Sequence, residues 1–383
     1  MMGELYLLKY ITKKMNRSPF KKFLINQYLN FRSYYFRLLY GYSKNKQIPK
    51  NIKKILLCRF DRLGDLILST SILPALKHLY PNAQIDIVVS KGLKDILFGN
   101  IYINRVYGIN YSNRKSLRTL SKKLDTKNYD LSIDLSLSRG CLSSIFLKKC
   151  NAKFMIGFSN YKKERIFDIS VTDGNFNEHF IINIYKLIQK LGYKDKIYNP
   201  GIFFLDSEKI VIENLLKKLK LTEKYMVIHP GAFYKTQRFS IEKMVKIADI
   251  IYEKYCLDII FVGGSNDKFL LDSINFLLKN RNIKIYMTKS LRELLYILKK
   301  SSIFFGNNSG PLHVAAALNI PTISTIGPTM GDYFYPWGKN NTYINLNLPC
   351  SPCFNSECSH HSCLENISVD SIIKEIDFIV SKI

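Results

Sequence analysis

Two glycine-bearing loops carry the residues that could do chemistry. The first is Arg59-Phe-Asp-Arg-Leu-Gly64-Asp65, which follows the apolar run Lys54–Cys58. Asp65 falls where a strand end meets a helix start, at the mouth of a cleft if the sheet is parallel. There it either caps the helix or serves the cleft. The second is Gly306-Asn-Asn-Ser309-Gly310-Pro311-Leu-His313, again after a strand. Ser309 suits an N-cap and Pro311 the first turn. A helix start offers free N–H groups and partial positive charge, which suit a phosphate. Ser309 and the N–H groups near Gly310 and Leu312 are the expected diphosphate contacts, with His313 one turn in. The plainer alternative is a well-capped helix after a buried strand. His229-Pro-Gly231-Ala232 is another strand-end loop facing the same cleft. Lys235 and Arg238 beside it are good phosphate neighbours, or else solvated surface charges.

The elements that must position these loops alternate strand and helix. Strands are expected at 53–58, 84–89, 103–107, 130–134 and 153–156. A second series falls at 225–229, 258–262, 283–286, 303–305 and 321–326. One helix is expected from the Gly64 loop to about Leu79. Such alternation predicts an α/β fold of two parallel sheets covered by helices. Asn199-Pro-Gly201 marks the crossing between them. The reading is a basic aromatic extension at 1–50, a first Rossmann-like domain at 51–200, a second at 201–366, and an amphipathic helix at 367–383.

The 383 residues carry a formal charge of +27. Such charge favours an anionic partner: lipid headgroups, nucleic acid or a phosphorylated glycan. No nucleic-acid-type zinc-finger spacing, aromatic RNA-binding signature or helix-turn-helix is present, so a nucleic-acid partner is not expected. No apolar run reaches the length of a membrane span, and no secretory leader is legible. Residues 1–50 hold eleven Lys/Arg against one acid, with aromatics interleaved at helical spacing. Such a helix suits an anionic membrane surface, or docks on the body of the protein. The expected location is cytoplasmic, at the inner face of the inner membrane.

Four blocks, Ile55–Pro81, Asp130–Phe158, Val227–Gly264 and Ser290–Thr329, resemble glycosyltransferase family 9, the lipopolysaccharide heptosyltransferase family. Their order and spacing match over roughly residues 52–383. The resemblance implies a GT-B architecture, with donor nucleotide in the second domain and acceptor in the first. It implies transfer of heptose from ADP-heptose to a lipopolysaccharide core or related glycolipid, with inversion and with no cofactor required for catalysis. It places Asp65 as general base. Gly64, Arg59 and Arg62 then lie on the acceptor side. His229, Gly231, Ala232, Lys235, Arg238, Gly263, Gly264, Asn308, Ser309, Gly310, Pro311 and His313 lie on the donor side. Two positions depart from the family pattern: Gln237 stands where a lysine is common, and Asn308 where an aspartate is. Both bear on the donor sugar. They keep open another nucleotide sugar, serving an O-antigen, capsule or protein-linked glycan, and a non-catalytic sugar-nucleotide-binding relative.

Cys350, Cys353, Cys358 and Cys363 form C-x2-C-x4-C-x4-C. The spacing is compatible with structural zinc, with reduced buried cysteines, or with redox-labile pairs.

Overall fold

The computed structural model describes residues 47–136, 142–159, 166–172, 177–280 and 282–382. The basic extension lies outside them as far as residue 46. Two six-stranded sheets, parallel throughout, form the frame. The first comprises β1 (Lys54–Arg59), β2 (Gln84–Ser90), β3 (Arg105–Ile109), β4 (Leu131–Asp134), β5 (Phe154–Ser159) and β6 (Ile169–Thr172), in the order β3-β2-β1-β4-β5-β6. The second comprises β7 (Tyr225–His229), β8 (Asp258–Gly263), β9 (Lys284–Met287), β10 (Ile303–Asn307), β11 (Thr322–Thr325) and β12 (Asn341–Ile344), in the order β12-β11-β10-β7-β8-β9. β1, β7 and β10 are central in their sheets and almost wholly buried. That is why they read as unbroken apolar runs. β6 and β12 went unread: each is a four-residue edge strand without such a run.

The helices that matter for the site are α1 (Leu63–Ser69), α2 (Ile72–Leu79), α3 (Phe180–Gln189), α4 (Glu208–Lys218), α5 (Lys268–Leu277), α6 (Leu291–Lys299) and α7 (Gly310–Ala317). The single helix expected after Gly64 is two. Pro74 has no N–H to give the Thr70 carbonyl. The hydroxyls of Ser69, Thr70 and Ser71 bond back to the carbonyls of Asp65, Ile67 and Leu68. Both effects loosen the ladder at Thr70-Ser71. The break leaves Thr70 Oγ1 to accept the Gly201 N–H at 2.9 Å, which ties the interdomain strand to the first domain.

The chain crosses between domains three times, whereas the sequence suggested one crossing. Residues 330–337 return from the second sheet to the first core. Tyr333 is buried there and Phe180 of α3 meets it edge-on at 5.8 Å. His179 Nε2 bonds the Tyr335 carbonyl at 3.0 Å, and Trp337 Nε1 donates to Asn199 Oδ1 at 3.0 Å. Isolated aromatics after Pro328 carry no period, so this return had no signal in the sequence.

Arg292 of α6 pins the first crossing. Its guanidinium donates to Glu208 Oε1 and Oε2 at 2.7 and 2.6 Å and to the Phe203 carbonyl at 2.8 Å. It also reaches the Asp95 carbonyl of the first domain at 3.4 Å. These bonds, with that of Tyr296, hold the Glu208 carboxyl down at about 2. Replacing Arg292 with Met leaves a buried carboxylate unpaired, which costs about 3–5 kcal/mol. The expected result is a lower urea midpoint for R292M. A compensating R292M/E208Q pair should recover part of the loss.

Candidate active site

The site lies between the carboxyl ends of the two sheets, where two helix starts meet. A Cβ on Gly64 of α1 would sit 2.6 Å from His313 Cδ2 of α7, and one on Gly310 would sit 2.9 Å from Leu63 Cβ. Only glycine at both positions permits this approach. Asp65 is in the first turn of α1. Its Oδ2 accepts the Arg62 N–H at 3.2 Å, and its Oδ1 lies 3.3 Å from Arg59 Nη2. Its side chain is 20% exposed, open to the cleft on one side. Capping and chemistry are therefore compatible: a carboxylate has lone pairs beyond the one that caps.

Ser309 stands at the N-cap of α7, but its hydroxyl makes no cap bond. Pro311 removes one of the two N–H groups a cap side chain would reach. Ser309 Oγ is left buried without a partner, as are Nδ1 of His229 and Nδ1 of His313. Buried unpaired polar atoms are rare, and here three lie at the end of β7 and the start of α7. That is a setting for an oxygen-rich anion.

The loops that follow β7 and β8 are held by two residues that sequence reading missed. Asn307 is fully buried. Its Oδ1 accepts the Phe239 N–H at 2.8 Å, and its Nδ2 donates to the carbonyls of Pro230 and Gly231 at 2.8 and 3.3 Å. It thus fixes both ends of the His229 loop. Asp267 joins β7 to β8. Its Oδ2 accepts the Gly264 N–H at 3.0 Å and lies 3.7 Å from His229 Nε2. Burial works against its charge, but His229, the Gly264 N–H and Arg238 outweigh it, leaving the carboxyl below its usual range. A Cβ on Gly231 or Gly263 would collide with Asp267, so His229, Gly231, Gly263 and Gly264 come together around it. The only sequence signal was an acid at the N-cap of α5, after Gly263-Gly264.

Other expected residues are placed differently. Arg59 is not on the surface but 1% exposed. Arg62 stacks on Phe233 at 3.7 Å and donates to Tyr234 Oη at 3.2 Å, closing the mouth of the cleft across the two domains. Arg238 Nε donates to the Ala232 carbonyl at 3.1 Å, inside its own loop. Lys235 is solvent-exposed on the short turn Lys235–Gln237, beside Gln237 and half-buried Arg238. Asn308 Nδ2 donates to Thr329 Oγ1 at 3.1 Å.

A sequence model described as glycosyltransferase family 9 (heptosyltransferase) matches residues 117–364. The chain belongs to glycosyltransferase family 9. It is similar to lipooligosaccharide heptosyltransferase 2 of Campylobacter jejuni, 25% identical over 322 residues that cover 82% of this chain and 95% of that one. Its fold is similar to that of a family 9 glycosyltransferase from Veillonella parvula, with a TM-score of 0.79, 18% identity, and coverage of 88% and 100%. It is also similar to an E. coli heptosyltransferase solved with ADP, with a TM-score of 0.68, 15% identity, and coverage of 85% and 99%. This glycosyltransferase thus has the expected α/β architecture of two Rossmann-like domains facing a cleft, in the manner of GT-B enzymes.

The zinc expectation finds no ligand set. Among the described residues no three His, Cys, Asp or Glu side chains are grouped to hold a metal. The cysteine loop instead braces the donor loop. Cys353 and Phe354 donate their N–H groups to the Pro328 carbonyl, and Thr236 donates to the Asn355 carbonyl at 2.6 Å. His361 Nε2 bonds the Thr236 carbonyl at 2.7 Å. Cys350 is exposed while Cys363 is buried, and burial with the neighbouring thiols raises the Cys363 thiol.

Burial holds His313 and His179 down to about 4. A histidine kept neutral in the fold takes up its proton first in the unfolded chain. Its contribution is complete above about 6.5 and is lost as pH falls toward 4, at about 1.4 kcal/mol per pH unit. Melting midpoints of H313Q and H179Q should therefore fall less steeply than wild type between pH 6.5 and 4.

Proposed function

We propose that this enzyme transfers a heptose from ADP-heptose to a lipopolysaccharide core or related glycolipid, with inversion and Asp65 as general base. The observation that carries the reading is Asp65 directly across one seam from the phosphate-ready start of α7. An acceptor hydroxyl attacks the anomeric carbon and gives its proton to Asp65. The bond from that carbon to the diphosphate oxygen breaks, and ADP leaves with the electron pair. Removing the proton as the bond forms contributes about 10²–10⁴-fold. The N–H groups at Gly310 and Leu312, Ser309 Oγ, Arg238 and Lys235 face the growing charge on ADP. Fixed dipoles and cations of this kind require no metal. The names of the curated relatives, lipooligosaccharide and lipopolysaccharide heptosyltransferases, support the substrate class.

A second reading rests on Asn308 and Gln237. The amide of Asn308 is engaged with Thr329 and carries no charge for sugar hydroxyls. This favours a different nucleotide sugar, for an O-antigen, capsule or protein-linked glycan. A thermal-shift panel with ADP, ADP-heptose, and UDP-, GDP- and CMP-sugars separates the two. A ligand at 100 times its dissociation constant adds about 2.7 kcal/mol. Shifts with ADP and ADP-heptose alone are expected; a shift with another nucleotide sugar alone moves the assignment to the second reading. Asp65→Asn should keep the ADP shift and lose at least ~100-fold in turnover. Undiminished turnover would remove Asp65 from the mechanism, and no shift with any donor would favour the non-catalytic relative.

The enzyme works in the cytoplasm at the inner face of the inner membrane, with the basic arm 1–46 on anionic lipid. No described helix is long and apolar enough to cross a membrane. Binding to phosphatidylglycerol vesicles should weaken with salt and disappear on deletion of residues 1–46. Equal binding by the truncated protein would place the contact elsewhere.

A further inference from the structure

We infer that Arg59 is the positioning residue of this active site, its buried guanidinium holding the Asp65 carboxylate in the orientation that receives the acceptor proton. The inference rests on the reading of Asp65 as the base. Arginine is almost never fully buried unless it is paired, and its desolvation must be offset by good geometry. Arg59 ends β1 and is the largest fully buried side chain among the described residues. Each of its three nitrogens has an oxygen neighbour. Nη1 donates to the Leu135 carbonyl, just past β4. Nη2 lies 3.3 Å from Asp65 Oδ1, and Nε lies 3.3 Å from Asp61 Oδ2. The Nε contact is an ion pair without hydrogen-bond alignment. The plane sits 5.0 Å from the Phe180 ring centroid, on the helix that packs residues 330–337.

The Arg59 side chain lies almost wholly beneath the surface. What it does reach is the carboxylate. Oδ1 is in ion-pair contact with Arg59 and Oδ2 accepts the Arg62 N–H, so both carboxylate oxygens have a partner that favours one orientation. Because Arg59 is anchored on Leu135, the orientation of Asp65 is referenced to the end of β4 as well as to its own loop. Lysine cannot do this, being a point charge without the planar fork.

The test uses the full-length protein as wild type, R59K, R59M, D65N and R59M/D65N. ADP release from ADP-heptose is followed with a heptose-deficient lipopolysaccharide acceptor, alongside ADP affinity and melting midpoint. R59K and R59M are expected to lose ~100-fold in kcat, the size of effect a small misplacement of a reacting group produces. Their donor KM and ADP affinity should stay within about threefold of wild type, as a loss confined to orientation predicts. The double variant should be no slower than D65N, since two residues acting through one group are not additive. Near-wild-type kcat in R59K overturns the inference. So does a double variant that loses the product of both effects, or an R59M whose ADP affinity collapses with its fold. Full activity in D65N removes the base reading itself. If wild type does not turn over ADP-heptose, crystal structures of wild type and R59K decide. A displaced Asp65 carboxylate in R59K supports the inference, and an unmoved one ends it.

Discussion

The active site depends on how closely two helix starts can approach. α1 and α7 meet end to side through Gly64 and Gly310, and a methyl group on either would strike the opposite domain. Each helix start carries partial positive charge, so bringing two together is unfavourable unless negative charge lies between them. Asp65 supplies part of it from within α1. Ser309 Oγ and His313 Nδ1 lie buried at the start of α7 without a hydrogen-bond partner. On the proposed reading, with a diphosphate beside a carboxylate base, such a seam keeps the two negative groups apart while both face the same space.

Around that seam the polar side chains divide into those that build the site and those left for a ligand. Asn307 spends its donors and acceptor on the backbone of the His229 loop, and Asp267 ties that loop to Gly264. Neither retains much capacity for substrate, and both are buried where a lost bond is costly. His229 and Ser309 have the opposite character: buried, placed by their neighbours, and unsatisfied. Arg62 belongs to a third group. It bridges the domains at the cleft mouth through Phe233 and Tyr234, a contact that opening of the cleft would break. On the proposed function, hinge motion about the interdomain crossings would admit donor and release ADP.

The cysteine loop is tied by bonds to the Pro328 and Thr236 carbonyls, and Cys363 is buried beside the thiols of Cys350, Cys353 and Cys358. Its evident structural task is to support the turn that carries Lys235 and Arg238.

The sequence by itself determined most of the fold. Buried parallel strands must be continuous apolar runs, and helices between them must be amphipathic, so the alternation is written locally. The glycine loops at 64, 231, 263 and 310 were legible for the same reason, since each sits at a strand end. What only the tertiary structure decided are relations between distant residues. The burial of Arg59 depends on Leu135 and Phe180, 76 and 121 positions away. Asn307 acts on a loop about 76 residues earlier, and residues 330–337 return to a core built more than a hundred residues before. A polar side chain carries no local mark of whether water or another strand will meet it. That is settled by packing, and it separated the arginine at the mouth of the cleft from the arginine beneath it.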